Sequence, residues 1–310
     1  MEYVKKENDL ISKIALGAAD FGTKTDKETS FLLMDEFLSA GGNAIDTGRA
    51  YCYWVENGAN ASESTIGEFM RQRKNRRKIF LATKGGHPPV PHFEISRINE
   101  TELTKDVNES LHYLKTDYLD VFYLHRDDES KPVSEIMPVL DKFVKQGKTR
   151  YIGASNWKSE RILQANEFAL KNGLTPFSFS QIMWSYAKFN TENLQDKTQV
   201  IMNDNEYEFY KNHKEIQLTA YSSQAQGFYS VLNENGVENL PDFYKKFYLN
   251  DCNLKRFAEI KAFSKESGLS PTAAGLLKLI ENELSPVALI GGKTQELLKD
   301  SLSVFGVNRQ

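Results

Sequence analysis

The sequence predicts a (β/α)8 TIM barrel, and three observations carry that prediction. Short apolar runs alternate with helical stretches along most of the chain, the pattern of a parallel sheet built through helical crossovers. The chain has 310 residues, 40% of them apolar, a size that suits one such barrel with a substantial core. The runs Asn43–Asp46, Ile79–Lys84 and Tyr118–His125 each end on a polar residue, Asp46, Lys84 and His125. Polar residues at the ends of buried parallel strands gather at one mouth of a barrel.

Taken in order, Ile14–Gly17 reads as the first strand, followed by a helix near Ser30–Ala40. Asn43–Asp46 is the second strand, with a helix from about Ser62 to Arg73 behind it, and Ile79–Lys84 is the third. Thr101–Lys115 places Leu103, Val107, Leu111 and Leu114 at helical spacing, with Thr101 and Thr104 as N-cap candidates. Tyr118–His125 is the fourth strand. Ser134–Gln146 reads as a helix closed by Gly147. Arg150–Ser155 is the fifth strand, and Lys158–Lys171 is a helix running into Asn-Gly. Phe177–Trp184, Ile216–Ser222 and Val287–Gly291 complete the eight, and Thr294–Phe305 is the closing helix. Asp9–Lys13 is expected to be one arm of a hairpin across the barrel floor. Residues 186–213 read as a long loop plus a helix, and residues 228–250 as an irregular excursion at the mouth. No composition break divides the chain, so residues 1–310 are expected to form one domain.

The formal charge of −3 argues against a nucleic-acid partner, which calls for a basic excess. The one basic run, Arg71–Lys78, reads as a solvated helix end and loop. The charged N-terminus shows no signal-peptide pattern, and no run approaches the ~20 apolar residues of a membrane span. Cys52 and Cys252 lack metal-type spacing and suit a reducing cytoplasm. Cys52 has no basic neighbour in sequence and is expected to be inert. His87, His92, His112, His125 and His213 show no ligand spacing, so neither a metal nor a metal-dependent barrel hydrolase is expected. Asp20-Phe-Gly22 and His125-Arg-Asp127 spell two kinase motifs in the wrong order. Pro132 stands where a catalytic Asn belongs, and no Gly-rich phosphate loop precedes them.

Tyr51 follows Asp46 by five residues, in the loop leaving that strand. A phenol, an ammonium, a carboxylate and an imidazole at one mouth make a proton-donating device of the kind carbonyl reduction requires. A free tyrosine, with pKa near ~10, is a weak acid-base catalyst at neutral pH. Lys84 is expected to lower the Tyr51 pKa, Asp46 to fix and charge Lys84, and His125 to donate a hydrogen bond to the substrate oxygen. Phe21, Tyr53, Trp54, His87 and Trp184, all just past strand ends, are the expected substrate wall, suited to a partly apolar small carbonyl compound.

These segments carry a resemblance. The chain resembles the aldo-keto reductases over nearly its whole length. The matching segments, in the family's order, are Ser12–Gly17, Gly42–Tyr51, Ser62–Gly67, Ala82–Lys84, Ser110–His125, Ile152–Asn156 with Gln181, and Ala220–Gly227. The resemblance implies an NAD(P)H-dependent reductase of aldehydes or ketones, sugar-derived carbonyls among them. It places the same four roles on Asp46, Tyr51, Lys84 and His125. No Gly-x-Gly-x-x-Gly opens a βαβ unit. The resemblance instead implies NADPH, or NADH, extended across the mouth, with Asp46 beside it. Ser155, Asn156 and Gln181 would hold the carboxamide, Tyr221 would stack on the nicotinamide, and the loop of Ser222, Gln224, Gln226 and Gly227 would meet the pyrophosphate. Gly291, Gly292, Lys293 and Ser301 would lie at the adenosine end. Relatives often place Arg near Thr294, Gln at Leu297 and Asn at Ser301. Those partners are changed here, and Lys293 could meet a 2′-phosphate as a point charge. The chain ends soon after its last helix, so no long C-terminal specificity loop is expected. A monomer or weak homo-oligomer is expected. The rival reading is a nicotinamide-binding regulatory subunit on the same fold.

Overall fold

The computed structural model describes residues 1–89, 92 and 94–307. A two-stranded hairpin, β1 (Tyr3–Lys6) and β2 (Asp9–Ser12), precedes the barrel. The barrel strands are β3 (Ile14–Gly17), β4 (Ala44–Asp46), β5 (Phe80–Gly85), β6 (Leu119–Leu124), β7 (Thr149–Ser155), β8 (Phe179–Met183), β9 (Gln217–Tyr221) and β10 (Val287–Gly291). All are parallel in sequence order, and β10 closes the ring against β3. The crossover helices are α1 (Lys27–Ser39), α2 (Ala61–Arg73), α3 (Glu100–Tyr113), α4 (Val133–Lys145), α5 (Ser159–Lys171) and α6 (Asp204–Asn212). After β9 come α7 (Phe228–Asn235), α8 (Asp242–Tyr248), α9 (Asp251–Ser267) and α10 (Pro271–Ile280), and α11 (Gln295–Leu302) ends the barrel. Among the described residues, no helix is long and apolar enough to cross a membrane.

Two apolar layers flank the strands. Ala44, Phe80, Ala82, Val121, Tyr123 and Phe179 fill the interior, while Ile45, Leu81, Phe122 and Leu124 join the layer between barrel and helices. Side chains alternate along a strand. Continuing the interior parity upward therefore turns Asp46, Lys84, His125, Ser155, Gln181 and Tyr221 into the barrel at its carboxyl end. The hairpin closes the opposite end, as expected from Asp9–Lys13. Val4 and Ile11 join the interior layer, and Arg150 donates to both Asp9 oxygens at 3.0 and 2.7 Å.

Local chemistry differs from expectation in three places, and one further helix cap lies where the sequence carried no expectation. Helix α3 is capped by Asn99, whose side chain accepts from the Glu102 N–H at 3.0 Å; Thr101 and Thr104 lie inside the helix. Residues 228–250 are not irregular. Their aromatics form helix faces, with Phe228 stacked on Tyr248 at 5.6 Å. Helix α10 is capped by Ser270 with Pro271 at its first position, the arrangement a missing proline N–H suits. Arg76 leaves the otherwise solvated basic run to donate to buried Asp120 at 2.9 Å. Gly147 behaves as expected, ending α4 at φ 70°.

Gly67 lets α2 and α3 touch: a Cβ there would lie 2.2 Å from the Tyr113 carbonyl oxygen. Gly67→Ala must push two packed helices apart and is expected to lower stability by about 2 kcal/mol or more. A urea midpoint equal to wild type would show that the helices can yield.

Candidate active site

Lys84 is the hub of the mouth. It is 1% exposed on β5, and its ammonium donates to the Asp46 carboxylate, to the Thr47 carbonyl at 2.8 Å and to the Tyr51 phenol oxygen at 2.9 Å. The other Asp46 oxygen accepts from Gln181 Nε2 at 2.9 Å. His125, just past β6, packs edge-on against Tyr51 with ring centroids 5.7 Å apart. Its Nδ1 is buried without a hydrogen-bond partner among the described residues. The four residues singled out in sequence are thus brought together in space.

The loop carrying Tyr51 continues the ladder beyond β4. Thr47 N–H donates to Ala82 O at 2.9 Å, Arg49 N–H to Lys84 O at 2.8 Å, and Tyr51 N–H back to Gly48 O at 3.0 Å. The Thr47 and Ser62 hydroxyls meet at 2.7 Å.

The electrostatics follow from burial and these contacts. Burial alone would lower the Lys84 pKa, but the Asp46 carboxylate and the Tyr51 oxygen outweigh it, so the net shift is upward. Burial pushes the Tyr51 phenol up, against the opposing pull of Lys84. The expectation that Lys84 would set a lowered Tyr51 pKa is therefore corrected: the lysine acts in that direction, and desolvation exceeds it. His125 is held well below its ordinary value, first by burial and then by the charges of Arg126, His87 and Lys84, so it stays a neutral imidazole. A neutral phenol beside a fixed ammonium and a neutral imidazole can donate protons without either titrating near pH 7.

The carboxyl ends of β7 to β10 gather polar and backbone groups. Ser155 and Asn156 are buried, and Asn156 adopts φ 58°. Its Nδ2 donates to Ser155 Oγ at 3.2 Å, and its Oδ1 accepts from the Tyr221 hydroxyl at 2.7 Å. Beyond Tyr221 the chain turns at Ser222, Ala225, Gln226 and Gly227, all with positive φ. Turns of this kind can present backbone N–H groups to an anion; here the Ala225 and Gly227 N–H groups close the turn itself, donating to Ser222 O and Gln224 O at 2.9 Å each. Gln224 Nε2 reaches Ser301 Oγ at 2.9 Å, joining this loop to α11. Gly291 and Lys293 are exposed beside the loop after β10, and Gly292 is buried there. This set fits an extended dinucleotide: amide groups at one end, a tight positive-φ turn in the middle and a cation at the other.

The expected substrate wall divides. His87 packs on His125 with centroids 4.6 Å apart, and Trp54 is edge-on to Tyr51 at 6.2 Å. Trp54 is 51% exposed and presents apolar surface beside the phenol, whereas the Tyr53 ring turns to the Arg49 guanidinium at 5.8 Å and its hydroxyl donates to Asn60 Oδ1 at 3.4 Å. Phe21 does not belong with them: it is 1% exposed within the barrel–helix layer. Trp184 points elsewhere, lining a separate cleft of ≈ 490 Å³ with Tyr207 that no member of the tetrad borders. Strand-end position alone does not determine which way a loop aromatic turns.

Sequence reasoning missed Arg126. It is 9% exposed and donates to the His125 carbonyl at 2.9 Å and to Asp196 at 3.1 Å. The signal was its place directly after His125, where the triplet was weighed only as a kinase motif. The Thr47 carbonyl was also missed, and no side-chain pattern could have found it.

The chain belongs to the aldo-keto reductase family: the sequence model of the Aldo/keto reductase family matches residues 13–309. It is an oxidoreductase of that family. Norsolorinic acid reductase of Aspergillus flavus is 28% identical over 96% of this chain and 74% of its own length. Norsolorinic acid reductase stcV of Emericella nidulans is 30% identical over 96% of this chain and 75% of its own. Aryl-alcohol dehydrogenase [NADP(+)] of Phanerodontia chrysosporium is 34% identical over 56% of this chain, a match that spans 48% of that protein.

Proposed function

We propose that this protein reduces an aldehyde or ketone to an alcohol with NADPH as the preferred reductant, and that Tyr51 delivers the proton. The observation that carries the reading is the Lys84 ammonium, anchored to Asp46 and donating to the Tyr51 oxygen at 2.9 Å. When bound, the dihydronicotinamide supplies a hydride to the carbonyl carbon. The chain's own groups do the rest. His125, neutral, donates to the carbonyl oxygen and orients it. Tyr51 gives that oxygen a proton as negative charge develops, and Lys84 stabilises the phenolate left behind. Ser155, Asn156 and Gln181 would hold the carboxamide, Tyr221 the ring, and the turn of Ser222–Gly227 the pyrophosphate.

The exposed Trp54 ring beside Tyr51 and the His87 ring beside His125 favour an aromatic carbonyl, in keeping with the aryl-alcohol dehydrogenase among the relatives. The test is oxidation of NADPH, followed by absorbance, against matched aryl, alkyl and sugar aldehydes and ketones. Turnover of aryl aldehydes above the others supports the reading. Tight NADPH binding with no turnover of any of them overturns it.

Lys293 is exposed and is proposed to meet the 2′-phosphate. Lys293→Gln is expected to raise KM for NADPH about fivefold, the worth of one exposed charge pair of roughly 1 kcal/mol. KM for NADH should hold. Equal changes for both cofactors would remove this role.

A further inference from the structure

A buried ion-pair network lies directly behind the Tyr51 loop and takes no part in the mechanism above. The Arg49 side chain is 5% exposed and donates through Nη1 to Glu63 Oε2 at 3.1 Å; Glu63 itself is 1% exposed in the first turn of α2. The other Glu63 oxygen accepts from the Thr83 hydroxyl at 2.8 Å. Thr83 immediately precedes Lys84 on β5. The Arg49 backbone N–H also donates to the Lys84 carbonyl at 2.8 Å. Arg49 is therefore tied twice to the strand that carries the ammonium, once directly and once through Glu63. On its other edge, Nε and Nη2 both reach Glu109 Oε2, at 3.0 and 2.7 Å, and the Tyr113 ring lies 4.9 Å from the guanidinium.

We infer that Arg49 is a positioning residue for Tyr51, an inference that rests on the reductase reading above. Buried ion pairs add little stability over apolar packing, and their best-attested use is to fix register. Here the two parts held in register are the loop bearing the phenol, two residues beyond Arg49, and the strand bearing its ammonium. Proton transfer tolerates little displacement, because a misplacement of about 1 Å can cost about 10²-fold in rate. The Glu63 arm does this work, since it is the arm that reaches β5. Glu109, 37% exposed on α3, is in contact with solvent and screened.

The experiment compares Arg49→Met, Arg49→Lys, Thr83→Val and Glu109→Gln with wild type, using NADPH and 4-nitrobenzaldehyde. A second readout needs no turnover: the alkaline tyrosinate titration of each protein, taken as the difference from its own Tyr51→Phe derivative. Arg49→Met is expected to lower kcat about tenfold or more, change KM for NADPH less than about twofold, and raise the Tyr51 titration midpoint as the phenol moves off Lys84. Arg49→Lys keeps the charge without the fork and should recover part of both losses. Glu109→Gln should stay within about twofold of wild type. Arg49→Met with unchanged kcat and midpoint overturns the inference, as does a Glu109→Gln loss as large as that of Arg49→Met. If Arg49→Met does not fold, Thr83→Val, which removes only the hydroxyl bound to Glu63, carries the same expectation and the same overturning result. Should wild type reduce no aldehyde while the midpoint still rises in Arg49→Met, the reductase reading fails and the positioning role stands.

Discussion

Tyr51→Phe is expected to lower kcat for aldehyde reduction by about 10²–10⁴, the usual worth of a positioned general acid. The substitution removes one oxygen and leaves the ring against His125 and Trp54, so KM for NADPH should change by less than about twofold. The pH dependence follows from the direction of the shifts. Reduction uses the protonated phenol, and burial raises the Tyr51 pKa above its ordinary value. The acid form therefore persists through neutral and mildly alkaline pH, and kcat should fall only in strong alkali. His125 is held well below its ordinary value and stays neutral across that plateau, so it adds no limb near its usual pKa of ~6.5. Near-normal turnover by Tyr51→Phe would take the phenol out of the chemistry. A wild-type rate already declining near neutral pH would mean that another group is the acid.

The tetrad was legible because its members end strands or leave them, and strand ends in a closed barrel have only one place to go. Asp46, Lys84 and His125 follow directly from the period-2 alternation that turns Ala44, Ala82 and Tyr123 into the interior. Gly147 was legible for a similar reason, since a helix that stops abruptly needs a residue that accepts positive φ. What failed was side-chain direction in loops. Phe21 and Trp184 follow strand ends by four residues and by one, either side of the two that separate His87 from its strand, yet one packs under a helix and the other faces a different cleft. The helices within residues 228–250 were hidden because they are short, eight and seven residues, and Gly236 and Pro241 interrupt the apolar pattern between them. The Tyr51 shift was misjudged because a sequence shows which charges are near and does not show how much water is excluded. The Arg49–Glu63–Thr83 network was invisible because its partners lie on three separate elements.

Lys84→Met should have the broadest consequence of any single change in this chain, because it acts on stability and chemistry at once. Methionine can fill most of the lysine stem but cannot donate. The Asp46 carboxylate, 3% exposed, then keeps Gln181 as its side-chain donor, and the Thr47 carbonyl loses its bond to the ammonium. Breaking one side of a buried pair leaves an uncompensated charge, which typically costs about 3–5 kcal/mol, so the denaturant midpoint should drop plainly. Turnover should fall by at least about 10²-fold, as when one preorganised donor is withdrawn from developing charge. The two losses separate in the double variant Asp46→Asn/Lys84→Met. Its neutral amide no longer requires a counter-ion, so much of the stability should return while turnover stays low. Chemistry can be isolated further with Tyr51→Phe/Lys84→Met. If the phenol and ammonium act as one device, this pair should be about as slow as the slower single variant, because groups that work as a unit are strongly non-additive. A loss equal to the product of the two single losses would mean that Lys84 assists the reaction without Tyr51, and the coupled proton donor would have to be abandoned.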